Sequence, residues 1–94
     1  MAVRVSLVDI ERMLNRCAEG HEGPTPTTHS YKVKHNGEVF YLPKGPGGAG
    51  SSQKRKSKAM VFLSQVRDLV DALEISRECA KEAFPNLKFR EVPQ

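Results

Sequence analysis

The sequence predicts a small α+β domain in which two amphipathic helices pack on one face of an antiparallel, hairpin-based sheet. Three observations predict it. Asn36-Gly37 stands between two alternating runs, the strongest short-range hairpin signal a sequence offers. Apolar residues recur at helical spacing over residues 6–19 and again from Ser64 onward. Finally, 94 residues with 38% hydrophobic content suit one domain, 1–94, with a small core.

Each element has a local reason. Ser6 can cap the first helix, and Asp9 and Glu11 suit its electropositive first turn. Leu7, Ile10, Leu14, Cys17 and Ala18 share one face, and Gly20 is a natural stop. Residues 19–28 hold two glycines and two prolines and read as a loop.

A two-residue turn at Asn36-Gly37 then fixes the hairpin register. It pairs His35 with Glu38, Lys34 with Val39, Val33 with Phe40, Lys32 with Tyr41, and Tyr31 with Leu42. Period two in strands gives a core face of Tyr31, Val33, Phe40 and Leu42. The other face carries Lys32, Lys34, Val39 and Tyr41.

Residues 43–58, rich in glycine and lysine, read as a flexible loop. Ala59-Met-Val-Phe-Leu63 is a short apolar run and a candidate third strand. Ser64 can cap a second helix whose stripe is Val66, Leu69, Val70, Leu73 and Ile75, continued by Cys79, Ala80 and Ala83 up to Pro85. Asn86 to Val92 alternates weakly and is a candidate edge strand. There is no internal repeat.

Charge is uneven. The chain carries +4 overall. Lys32, Lys34, Lys44, Lys54, Arg55, Lys56 and Lys58 face one acid, Glu38, within residues 29–58, so this segment holds +6 and the remainder −2. A local basic patch beside aromatic residues points to a polyanion, nucleic acid first. No stretch approaches the roughly 20 apolar residues of a membrane-spanning helix. Residues 1–9 lack the apolar core and cleavage site of a secretory leader, which points to the cytoplasm. In that reducing setting Cys17 and Cys79, both on apolar helix faces, read as buried free thiols.

Several motifs fall away on inspection. Gly45-Pro-Gly47-Gly-Ala-Gly50 matches a dinucleotide fingerprint literally, but no helix opening follows it and the chain lacks room for such a domain. The same glycines nearly match a phosphate-binding loop, yet Ser51 stands where its lysine belongs. Cys17, His21, His29 and His35 could in principle ligate zinc, but their spacing is irregular, so no metal or other cofactor is expected.

What remains is the basic cluster and the hairpin. Lys54, Arg55, Lys56 and Lys58 suit phosphate contacts without sequence readout, alongside the competing readings of a solvated linker, an import-like tract or a surface for an acidic protein. Lys32, Lys34 and Tyr41 combine charge with a stacking surface, as single-stranded or irregular RNA requires. An ordinary wet sheet face would look similar. His29, at the open end of the hairpin, can exchange a proton near neutral pH, though a histidine there can equally be structural.

The run from His29 to Ile75 resembles the HicA family, small toxins of bacterial toxin–antitoxin pairs. The matching residues are Thr28-His29, the strand Tyr31-Lys-Val-Lys-His35, the turn Asn36-Gly37, the strand Val39-Phe-Tyr-Leu-Pro43 and the helix from Ser64 to Leu73, with Asp9-Ile-Glu-Arg-Met-Leu14 where the family has its first helix. Thr27-Thr28 replaces the family's Gly-Ser. A Pro-rich loop stands in place of its first strand, and Lys44-Gly45 where a further histidine is frequent. The resemblance implies a double-stranded-RNA-binding-domain-like fold, mRNA cleavage with His29 catalytic, no cofactor, and an antitoxin-like protein partner.

The leading expectation is a cytoplasmic RNA-binding domain using Lys32, Lys34, Tyr41, Lys44, Lys54, Arg55, Lys56 and Lys58. A HicA-like endoribonuclease acting through His29 is the enzymatic alternative. A protein–protein interaction module using the open sheet face or an exposed edge strand is the third.

Overall fold

A computed structural model describes residues 3–43 and 59–89. It is an α+β fold in the order β1 (Arg4–Ser6), α1 (Leu7–Cys17), β2 (Glu22–Pro26), β3 (Ser30–His35), β4 (Glu38–Pro43), β5 (Met60–Phe62), α2 (Leu63–Ala72) and α3 (Arg77–Ala83). Strands β2-β3-β4 form one antiparallel sheet, and β1-β5 a second.

Helix α1 starts as its sequence requires. The Ser6 hydroxyl accepts a hydrogen bond from the Asp9 amide at 3.2 Å, satisfying one of the donors that a helix N-terminus leaves free. Leu7, Ile10, Met13 and Leu14 form its buried stripe.

Strand β5 does not join the hairpin. It pairs with β1, and each of these strands runs straight into a helix. The Leu7 amide donates to the Ala59 carbonyl and the Leu63 amide to the Val3 carbonyl, both at 2.8 Å. Leu7 and Leu63, Ile10 and Val66, Met13 and Leu69, Leu14 and Val70 thereby occupy equivalent places in two strand–helix units. Helix α2 begins at Leu63 with Phe62 as its N-cap and no side-chain capping bond, so Ser64 is not the cap.

The segment 19–28, expected as a loop, contains β2. This strand lies at the sheet edge, where prolines are tolerated because one row of amides needs no partner. Gly23, at φ +92°, sits where the pairing with β3 shifts register between Glu22 and Thr25. A Cβ there would run into the Lys32 carbonyl, so only glycine lets the two backbones approach this closely.

The β3–β4 hairpin has the expected register from His35 opposite Glu38 to Tyr31 opposite Leu42, and it runs one pair further, with Pro43, expected in the loop, opposite Ser30. Asn36 and Gly37 have φ values of 53° and 77°, the two positive values that a type I′ turn demands. The Asn36 side-chain amide also donates to the Leu73 carbonyl at 2.9 Å, tying the turn to the C-terminus of α2.

The second helix does not run on to Pro85. Glu74 adopts φ 55°. The Ile75 amide reaches back to the Val70 carbonyl at 2.9 Å and the Glu74 amide to Asp71 at 3.3 Å, the paired bonds of a Schellman stop. The chain then reverses into α3, capped by Ser76, whose hydroxyl accepts from the Cys79 amide at 3.2 Å.

That reversal overturns the free-thiol expectation. It carries α3 back against α1, and Cys17 and Cys79 form a disulfide with a Cα–Cα distance of 5.7 Å. The bond stands against the reducing compartment on which the free-thiol expectation rested, because disulfides persist chiefly in oxidising ones. Arg16 and Glu82 pair alongside at 2.7 Å. Leu87 is buried, and residues 87–89 form no strand. The rest of the candidate edge strand, 90–92, lies outside the described residues, as does 44–58 of the expected loop.

One core joins the parts. Tyr31, Val33 and Leu42 from the hairpin meet the α1 and α2 stripes, with Ile75, Ala80, Phe84 and Leu87 closing the far side. No described helix is long and apolar enough to cross a membrane.

Candidate nucleic-acid interface

The core claims one face of the three-stranded sheet, so alternation leaves the other face to solvent. Cross-strand partners share a face, and the register therefore writes out its rows. The first row is Thr25, Lys32 and Tyr41; the next is Glu22, Lys34 and Val39; Ser30 and Pro43 begin the ladder at the open end. Tyr41 is 54% exposed and Val39 42%, high values for large apolar side chains. Lys34 is exposed and Lys32 half-buried against its neighbours.

Glu22 and Thr25 are absent from the sequence-based site, because the composition of residues 19–28 predicts a loop where the structure has β2. They change the electrostatics of the face. Glu22 stands beside Lys34 and offsets it, whereas Lys32 has Thr25 and Tyr41 as neighbours. A hollow of about 370 Å³ at the Asn36-Gly37 end is lined by Glu22, Lys34, His35 and Glu38 among others, placing two carboxylates there. The face is thus polarised. Its turn end is neutral, with Glu22 against Lys34, and its open end, at Ser30, Lys32, Tyr41 and Pro43, is basic and aromatic.

His29 lies at the open end. It is exposed, in the β2–β3 turn, immediately before Ser30. That turn is closed by Thr27, whose amide donates to the Ser30 carbonyl at 2.8 Å and whose hydroxyl accepts from the Ser30 amide at 3.0 Å. The structure therefore brings His29, Lys32 and Tyr41 to one end of the sheet, with Lys34 one row away. Lys44, Lys54, Arg55, Lys56 and Lys58 lie outside the described residues.

The other tyrosine belongs to the opposite face. Tyr31 is buried, and burial pushes its phenol above the usual tyrosine range. Among the described strand residues, Tyr41 alone supplies an aromatic ring to the open face. His21 is held locally, its Nδ1 lying 3.0 Å from the Ala18 carbonyl. His29 and His35 sit at opposite ends of β3, and Cys17 is committed to its disulfide. Among the described residues no three histidine, cysteine or acidic side chains are placed to hold a metal ion.

Family models, curated proteins and solved structures were all compared with the chain, and none of them matches it.

Proposed function

We propose that the chain binds nucleic acid, RNA in preference, across the basic end of the open sheet face. The observation that carries this reading is the shared row of Lys32 and Tyr41 on a face that the helices leave uncovered. Lysine neutralises phosphate, and an exposed ring offers a platform to an unpaired base. Lys34, Lys44, Lys54, Arg55, Lys56 and Lys58 would add phosphate contacts without reading sequence. The test is a salt titration with a single-stranded RNA oligonucleotide. Affinity should fall steeply as salt rises, and no binding at low ionic strength would refute the reading.

A second reading is a HicA-like endoribonuclease with His29 as general acid/base. Strand β2, directly before His29, supports it. It completes the three-stranded sheet between two helices that the resemblance implies, where the sequence suggested only a loop, although β5 intervenes before α2. An exposed imidazole can take the proton of a ribose 2′-hydroxyl and return one to the departing 5′-oxygen. An antitoxin-like protein would then be the natural partner. Wild-type chain should slow growth and cleave mRNA when expressed, and His29→Ala should do neither; equal behaviour of the two removes this reading.

A cytoplasmic setting belongs to the same proposal, and the Cys17–Cys79 bond argues against it. Mass spectrometry of chain alkylated at lysis, before any reduction, separates the two: two alkylated cysteines place it in a reducing compartment, and none in an oxidising one.

A further inference from the structure

The hairpin register also determines which backbone groups of β4 find no partner in β3. In a hairpin with a two-residue turn, the residues flanking the turn exchange both backbone hydrogen bonds, and bonded and non-bonded pairs then alternate. His35 and Glu38 flank the turn, so Val33–Phe40 and Tyr31–Leu42 are bonded pairs. Val39, Tyr41 and Pro43 point their backbone groups away from β3. Strand β4 is the last strand of its sheet, and no described residue bonds those outward groups of Val39 and Tyr41. The side chains of these two residues are also among the exposed large apolar groups. An edge strand with free amides and an apolar flank is a template for another strand.

We propose that this edge pairs antiparallel with β4 of a second copy of the chain. The edge is complementary to itself in one register. Setting Val39 opposite Tyr41 of the second copy, and Tyr41 opposite its Val39, uses all four outward amide and carbonyl groups in four hydrogen bonds. The two Phe40 residues then face each other at the two-fold axis. Pro43, which has no amide to donate, falls opposite Gly37 of the second copy, beyond the bonded pairs. Sliding the strands by one pair to set Tyr41 against Tyr41 would place Val39 opposite Pro43 and lose a donor.

The same register lays each Val39 beside a Tyr41 on the open face, covering the exposed apolar surface with an aliphatic–aromatic pair. Like charge does not oppose it. The β3 lysines of the two copies are separated by three strand spacings, about 14 Å, which exceeds the screening length of about 8 Å at physiological salt. The product is a six-stranded sheet whose open face carries Lys32, Lys34 and Tyr41 from both copies. The pairing rests on β4 alone and stands independently of the nucleic-acid reading.

Sedimentation equilibrium of the full chain from micromolar to millimolar concentration, with amide exchange on the same samples, tests it. A monomer–dimer equilibrium is expected, with exchange at Val39 and Tyr41 slowing at least about tenfold from dilute to concentrated samples, and Phe40 and Leu42 slow at both. Val39→Pro removes an outward amide without touching the β3 ladder, and should be monomeric with an unchanged circular dichroism spectrum. If that variant does not fold, the wild-type exchange data decide alone. A chain monomeric throughout overturns the proposal and leaves the edge to a strand of some other protein. A dimer with unchanged exchange at Val39 and Tyr41, or a folded dimeric Val39→Pro, overturns it too.

Discussion

The β3–β4 hairpin and helix α3 are held in place by opposite means. The hairpin is fixed locally: two residues with positive φ set its turn, and the ladder follows pair by pair. Helix α3 is seven residues long, too short to be stable alone. Its position depends on residues far away in sequence, through Cys17–Cys79, Arg16–Glu82 and the burial of Ala80 and Phe84. The comparison teaches where each kind of constraint is used. The surface offered to a ligand stands on the part that carries no covalent pin. The covalent pin sits on the far side of the core, where it closes the fold.

That contrast can be broken from either side. The largest effect should come from the pin. Closing a loop across a sequence separation of 62 restricts the unfolded chain by roughly 4 kcal/mol in the loop-entropy account. Replacing both cysteines by serine should lower stability by up to that amount in urea unfolding, while the hairpin cross-strand contacts survive in NMR spectra below the transition. Loss of the hairpin signals before global unfolding would show that the two regions are not separately held.

The turn comes next. Gly37 has open space around the position of a Cβ but a φ of 77°, so Gly37→Ala should cost about 1–2 kcal/mol through backbone strain alone. Asn36→Ala should cost about 1–2 kcal/mol, from the lost bond to the Leu73 carbonyl and from alanine's poorer fit to a φ of 53°. Both should act on the hairpin and leave the α1–α3 contact in place. The smallest effect belongs to the exposed Arg16–Glu82 pair, where Arg16→Ala should change stability by no more than about 0.5 kcal/mol.

Legibility in the sequence follows the same division. The hairpin could be read residue by residue, because Asn-Gly specifies its turn and the turn specifies the register. The α1 cap and stripe were equally local. Strand β2 was not legible: its prolines and glycines signal a loop, and only the free edge and the close approach at Gly23 make a strand of them. The stop of α2 was hidden because Glu74 occupies the left-handed position that glycine usually marks. The disulfide was hidden with it, since Cys79 reaches Cys17 only after the chain reverses there. The partners of β1 and β5 are tertiary choices that a three-residue strand cannot encode. At the candidate site, Lys32, Lys34 and Tyr41 were legible through alternation, whereas Glu22, which offsets Lys34, came into view only with β2.

Polarisation of the open face is the claim that a single comparison tests most directly. The measurement is the affinity of a single-stranded RNA oligonucleotide for wild-type chain, Lys32→Gln and Arg12→Gln, each across a range of salt concentrations. Arg12 is an equally cationic residue on α1, with its side chain 78% exposed. The account predicts that Lys32→Gln weakens binding and flattens the salt dependence by about one phosphate contact, roughly 0.7 in the logarithmic slope, while Arg12→Gln binds like wild type. Equal losses from the two variants would show that net charge alone attracts the ligand, and would contradict a site on this face.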